Sequence, residues 1–341
     1  MRLSPTPFRC FAMVTLAAGF TALEVAADDR PAGADPTPLS LAQTIELPML
    51  TGGMNHLAAD ATRSRFFITV PGARQTVVID LKGGKVLRTL SGPAAAACFV
   101  PDLDLLCVAG DQEVSFYHGP SLTQTGKLNL HSRLDEMRYA HKEHRLYVGM
   151  MDPNKPGIAV IDVPRRKLLA ALPLPAKPQG FVVESAGTRI YANTPAAGQV
   201  TVVDRKARTV VANWKLTMAR SNYPIALDEK NHRLFVGCRR PPRLLVLDAS
   251  SGKMVATVNI GGDADDMSFD PLGQRVYVAC GDGVITSLRQ AGPDHYDRLG
   301  DTATAPGTRN SLFVARLRTF FVAVPQHGRT PAQLRAYQPR K

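Results

Sequence analysis

Leu234-Phe235-Val236-Gly237, carried on through Leu244-Leu245-Val246-Leu247-Asp248 and the turn Ala249-Ser250-Ser251-Gly252-Lys253 into residues 254–260, reads as three successive β-strands. A further strand, 224–227, leads into them through the tight turn Asp228-Glu229-Lys230-Asn231-His232. Branched and aromatic side chains dominate, as a pleated, half-buried surface requires. The unit therefore holds four strands.

The same unit recurs along the chain. Its first phrase appears as Phe66-Phe67-Ile68-Thr69, Leu106-Cys107-Val108-Ala109, Leu146-Tyr147-Val148-Gly149, Ile190-Tyr191-Ala192-Asn193, Val276-Tyr277-Val278-Ala279 and Phe320-Phe321-Val322-Ala323. The second residues of the seven copies are 67, 107, 147, 191, 235, 277 and 321, a spacing of 40 to 44. An Asp closes the second phrase at Asp80, Asp162, Asp204 and Asp248, where local hydrogen bonds to the following turn are expected. A sheet of four such strands cannot bury both faces alone, and stacking seven of them around an axis does so. The expected fold is all-β: a seven-bladed β-propeller of four-stranded antiparallel blades. The last unit lacks an outer strand. Residues 41–47 (Leu-Ala-Gln-Thr-Ile-Glu-Leu) supply one, closing the ring by joining the N-terminal segment to the last blade. Trp214, on an outer strand, is expected to pack between blades.

At these phrases the chain resembles the YVTN-repeat (YncE-like) β-propellers, over roughly residues 41 to 338. Asn55-His56-Leu57-Ala58-Ala59-Asp60, Asn222-Tyr223-Pro224-Ile225-Ala226-Leu227-Asp228, Gly262-Asp263-Ala264-Asp265-Asp266 and 304–313 are similar to an exported bacterial branch. The resemblance implies the fold and leaves the activity open, because propellers host many chemistries.

The chain opens with an export signal: Arg2 and Arg9, an apolar run over 11–22, and Val25-Ala26-Ala27 as the cleavage site. The expected organisation is a signal peptide over 1–27, a flexible leader over 28–40 and the propeller over 41–341, in the periplasm or secreted. The apolar run is shorter than the roughly 20 residues a span needs, so no integral membrane protein is expected. The formal charge is +12 over 341 residues, with basic residues scattered and without the aromatic interleaving of nucleic-acid binders. No nucleic-acid partner is expected, and the mature protein reads as a monomer. The cysteines beyond the signal, Cys98, Cys107, Cys238 and Cys280, form no C-x-x-C, so neither haem attachment nor a zinc finger is indicated. If the second hairpin turns at 101–104, Cys98 faces Cys107, and a disulfide between them is possible in an oxidising compartment.

Each innermost strand begins at one end of the central channel. That register gathers Asn55, His56, Ala97, Cys98, Asp135, Glu136, Gln179, Tyr223, Asp265, Asp266, Arg309 and Asn310 at one mouth, with Asp152, Arg239-Arg240, Asp282 and His327 on the loops after the second strands. Ala94 to Ala97 leave the second blade's sector without polar groups. Converging polar side chains at a channel mouth are the default binding site of such a fold. The ligand set expected there is Asn55, His56, Glu136, Gln179, Tyr223, Asp265, Asp266, Arg309 and Asn310. The carboxylates suit a hard divalent metal ion, with Asp266, Asp265 and His56 as its candidate ligands. No serine elbow and no H-E-x-x-H occur. The favoured function is a non-catalytic scaffold binding a small molecule or a protein. The alternative is a metal-dependent, lactonase-like hydrolase or lyase. A docking surface for an acidic polymer is a third reading of the positive charge.

Overall fold

The structure, a computed structural model, describes residues 1–2 and 37–340. The expected export signal and most of the leader lie outside the described residues. From Leu39 onward the backbone forms 28 strands in seven four-stranded sheets. Every pairing is antiparallel, and within blades 1 to 6 the spatial order follows the chain order. Blade 5 illustrates the plan: Arg220–Asp228, Arg233–Arg240, Pro242–Asp248 and Met254–Asn259 run from the axis outward. Inner strands of neighbouring blades touch all the way round, including the first against the seventh. No α-helix occurs among the described residues, only four single turns of 3-10 helix.

Blade 7 is closed as the sequence reading expects. Leu39–Leu47 pairs with Ala332–Pro339, beginning two residues before the expected Leu41. Its inward side chains, Leu39, Ile45 and Leu47, are almost fully buried. Adjacent blades are glued by apolar side chains, and seven clusters fill the seven interfaces. The second residue of each phrase supplies the large groups: Phe67 stacks on Phe99 of the next blade, Phe235 on Phe269, and Tyr277 on Phe313. Trp214 packs on Tyr191, 5.6 Å between ring centres, and lies over Gly252 of blade 5.

Two local devices repeat. The closing aspartates accept backbone N–H bonds from their turns, as at Asp204 (from Lys206 and Ala207) and Asp248 (from Ser250 and Ser251), which confirms their capping role. Every outer strand also carries a β-bulge at one equivalent point, leaving Leu87, Thr125, Leu169, Val211, Val255, Leu299 and Ala42 without a partner. A bulge bends and twists its strand.

Candidate functional site

Three inner strands depart from regular pairing at their upper ends. The register slips between Asp135 and Met137, between Asn222 and Ile225, and between Ala264 and Asp266. The residues expelled from the ladder include Glu136, Tyr223 and Asp265, three of those expected at the mouth. Glu136 holds a left-handed backbone, φ 53°, which a glutamate adopts only when its surroundings impose it. The bulge turns this side chain toward the axis. Glycines permit the close approach around it: a Cβ on Gly149 would lie 2.6 Å from the carbonyl oxygen of Asp135, and one on Gly180 2.6 Å from that of Tyr223.

The mouth is a small polar vestibule of about 50 Å³ lined by Asn55, His56, Asp135, Glu136, Gln179, Tyr223 and Asp265. Below it the channel widens to about 800 Å³. His56 and Glu136 line both spaces and mark the neck between them, and Asp266 and Ser311 face the channel just below. Farther down, the wall mixes apolar side chains with Arg138, Tyr139, His141 and Glu229. The positions opposite the first phrase residues are Ala59, Phe99, Tyr139, Val183, Leu227, Phe269 and Phe313, one per blade.

The neck is a charge network. Asp135 Oδ1 lies 3.0 Å from His56 Nε2 and accepts from Asn55 Nδ2 at 3.3 Å. Glu136 Oε2 is 3.9 Å from His56 Nδ1, and Arg138 donates to the other Glu136 oxygen. Burial pulls His56 toward its neutral form. Glu136 and Asp135, helped by the Asp135 hydrogen bond and by Asp266, overcome that and raise its pKa to about 10. Asp135 moves down despite its own burial, chiefly through the charge and hydrogen bond of His56. The pair is therefore ionised at neutral pH, and a protonated His56 is no general base. Asp266 behaves oppositely. Burial, only partly offset by His56 and reinforced by Asp265 and Glu136, raises its carboxyl to about 7. A histidine whose pKa rises on folding stabilises the fold fully below its ordinary 6.5, and that contribution fades as pH climbs through about 10. In selectively labelled protein, ring-nitrogen NMR shifts are expected to show His56 still protonated at about pH 8.5, where a free imidazole is neutral. A neutral ring at that pH would contradict the ionised pair.

Across the mouth, Arg239 crosses from blade 5 to blade 6. It pairs with Asp263 at 3.0 Å and with Asp265, donates to the Ala264 carbonyl at 2.8 Å, and lies 3.8 Å above the Tyr223 ring. Arg309 reaches the same Asp263 at 3.0 Å. Burial raises the Asp265 carboxyl, against the pull of Arg239. Asn310 is buried at the start of its strand and lines neither space. The blank sector of blade 2 is filled by backbone: the Ala95 carbonyl accepts from Asn55 Nδ2 at 2.8 Å and from Thr69 Oγ1 at 3.1 Å.

Asp265 pairs with Arg239, and His56 with Asp135. Among the described residues no three His, Cys, Asp or Glu side chains are placed to hold a metal ion. Cys98 does sit opposite Cys107 in the ladder, but both are free thiols. Burial pushes Cys98 up to about 12 and Cys107 well above its ordinary value, suppressing the thiolate that disulfide formation needs. The residues not foreseen are Arg138, Ser311 and the ring of channel aromatics. The ring recurs at the repeat spacing, so the register of the inner strands carried its signal.

No family model matches the chain, and no curated protein is similar to it in sequence. Solved structures do match in shape. A chain from the crystal structure of a mitotic checkpoint complex superposes with a TM-score of 0.76 at 15% identity, over 96% of this chain and 99% of that one. The RRP9 WD40 repeats superpose with a TM-score of 0.76 at 11% identity, over 89% of this chain and all of theirs. The chain is a seven-bladed β-propeller. At these identities the likeness is one of fold alone. Among the described residues of this propeller, no helix is long and apolar enough to cross a membrane.

Proposed function

We propose that this protein is an exported, non-catalytic binding propeller of the YVTN-repeat type, whose ligand enters the upper mouth and rests at the neck of His56, Glu136 and Asp266. The observation that carries the reading is the pairing of the neck. His56 is protonated against Asp135 and Glu136, and Arg138 holds the second Glu136 oxygen, so a polar collar is preformed above an organic-sized cavity. Export rests on the sequence of residues 1–27. The reading includes a monomer, supported by a ring that needs no second copy to close.

Ala59 faces the channel beneath the neck, and Ala59→Trp would fill that space. In a thermal-shift screen of small molecules on the full chain, compounds that stabilise the wild type are expected to lose their effect on Ala59→Trp. Stabilisation that persists unchanged would place the ligand elsewhere.

A second reading, a docking face for an acidic protein or polymer, is favoured by one cluster on blade 5. Arg220 stands directly opposite Arg240, a like-charge pairing that costs stability, and Arg243 lies opposite Cys238 on the same face. Among the described residues none of the three has an acidic partner within ion-pair distance. Retention on immobilised polyglutamate is expected to weaken more in the triple Ala variant at 220, 240 and 243 than in a control of equal charge, Lys82→Ala/Lys142→Ala/Arg208→Ala. It should also fall steeply with salt. Equal retention of the two variants would remove this reading.

A further inference from the structure

Every outer strand is bulged at one equivalent point, and the residues standing there differ from blade to blade. In blades 3, 4 and 5 the residue before the bulge and the bulged residue are both apolar: Leu168-Leu169, Val210-Val211 and Met254-Val255. A bulge sets two residues against one, so the pair escapes the alternation that would turn one of them inward. All but Val255 are exposed, Val211 to 54%. Exposed basic residues accompany each pair: Lys167 and Lys253 directly precede two of them, and Lys206 and Arg208 stand in the turn before the third. The acids nearby are already engaged, Asp162 by Arg145 and Arg165, Glu143 by Arg205, Asp204 by Thr188 and turn amides, and Asp248 by Arg233. Among the described residues none of the four exposed cations has an acidic partner within ion-pair distance. The outer strands themselves, Lys167–Pro173, Thr209–Lys215 and Met254–Asn259, contain no acid.

We propose that the outer arc of blades 3 to 5 is a docking surface for an anionic lipid bilayer, the apolar pairs entering the headgroup region and the basic residues meeting lipid phosphates. The arc is continuous. The outer strands of blades 3 and 4 touch, and Trp214, at the far end of blade 4's outer strand, lies over Gly252 in the turn that leads to Met254. The three pairs occupy equivalent points of the repeat, so they stand at one height along the axis and can meet one surface. Apolar side chains flanked by unpaired Lys and Arg have the chemistry of a bilayer interface, where each cation adds attraction to anionic lipid. Tryptophan favours that interface too, and Trp214 is the only one in the chain. A protein strand suits the arc poorly, because the bulge breaks the register of anything added to the edge. Elsewhere the pattern fails. Gln124-Thr125 stand at the bulge of blade 2, and Arg298-Leu299 of blade 6 are flanked by Asp297 and Asp301. Lys85-Val86-Leu87 repeats the motif in blade 1, but its neighbours do not extend it: Leu41-Ala42 of blade 7 follow Ser40 and lack a basic residue. The surface lies apart from the channel, and the proposal does not depend on the channel's ligand.

The single tryptophan makes a local test possible. The full chain is mixed with vesicles carrying brominated acyl chains, made either of phosphatidylcholine alone or of phosphatidylcholine with phosphatidylglycerol, and Trp214 emission is compared with that in non-brominated vesicles of the same headgroups. Quenching is expected in the anionic vesicles only, and it should fade steeply with added salt. Lys167→Ala/Lys206→Ala/Arg208→Ala/Lys253→Ala is expected to lower partitioning by about a hundredfold or more, at about fivefold for each basic group. Leu169→Ser/Val211→Ser should abolish quenching with an unchanged circular dichroism spectrum. Lys85→Ala/Val86→Ser/Leu87→Ser, which removes the same motif from the opposite side of the ring, should leave quenching as it was. Absence of quenching in anionic vesicles, or equal quenching in neutral ones, would overturn the proposal whether or not any variant folds. Loss of quenching in the blade 1 variant equal to that in the blade 3 to 5 variants would overturn the assignment to this arc. If the quadruple variant loses retention on polyglutamate while lipid never quenches Trp214, the arc serves an acidic chain and the lipid proposal fails.

Discussion

Removal of residues 1–47 is expected to abolish cooperative unfolding or to lower the melting temperature by more than about 10 °C. The segment Leu39–Leu47 is the outer strand of blade 7, paired along its length with Ala332–Pro339. Its loss exposes the partners of Leu39, Ile45 and Leu47, each buried to within 2%. Burying one such side chain contributes about 1.5–3 kcal/mol, so three approach the whole margin of about 5–15 kcal/mol by which a protein is stable. The third strand would also be left with unpaired backbone groups. Circular dichroism melts of the full and shortened chains give the answer. A shortened chain melting within a few degrees of the full one would mean that blade 7 holds without its N-terminal strand.

Phe235→Ala is expected to cost about 3–5 kcal/mol, read as a lower denaturation midpoint at an unchanged slope. Phe235 is fully buried between blades 5 and 6, its ring centre 5.3 Å from Phe269 and 5.7 Å from Tyr296. Truncation removes both ring contacts and leaves a void where rigid sheets on either side cannot collapse. Leu272→Ala, at a site 76% exposed, is the control and should stay within about 0.5 kcal/mol. A loss below about 1 kcal/mol at Phe235 would show that the interface repacks, and would weaken the case that the phrase aromatics hold the ring together.

The blades were legible because their signal is local and repeated. A phrase such as Ile190-Tyr191-Ala192-Asn193 names its own strand, its partner strand follows within a dozen residues, and Asp204 marks the turn. Ring closure was legible from arithmetic, because one strand was missing at one end and spare at the other. The site was legible as an address but not as a circuit. Register alone places His56 and Asp135 at the same mouth. It does not say that they touch, because they are 79 positions apart on blades 1 and 3, and the contact depends on the bulge beside Asp135. The pairing of Asp265 was hidden for the same reason: its partner Arg239 comes from the neighbouring blade, which spacing within one repeat cannot reveal. Cys98 and Cys107 show the converse: their register was read correctly from the hairpin turn, while the burial that raises both thiols was not visible in the spacing.

A ring of seven separate sheets has seven outward edges, each a row of main-chain donors and acceptors that a neighbouring molecule could extend. The unpartnered residue at one equivalent point of every outer strand bends each edge partway along. A second chain laid alongside would keep register for only a few residues before the kink. Propellers of this kind can therefore crowd together without knitting into a common sheet, even where Leu87, Leu169 and Val211 lie open to solvent on those edges.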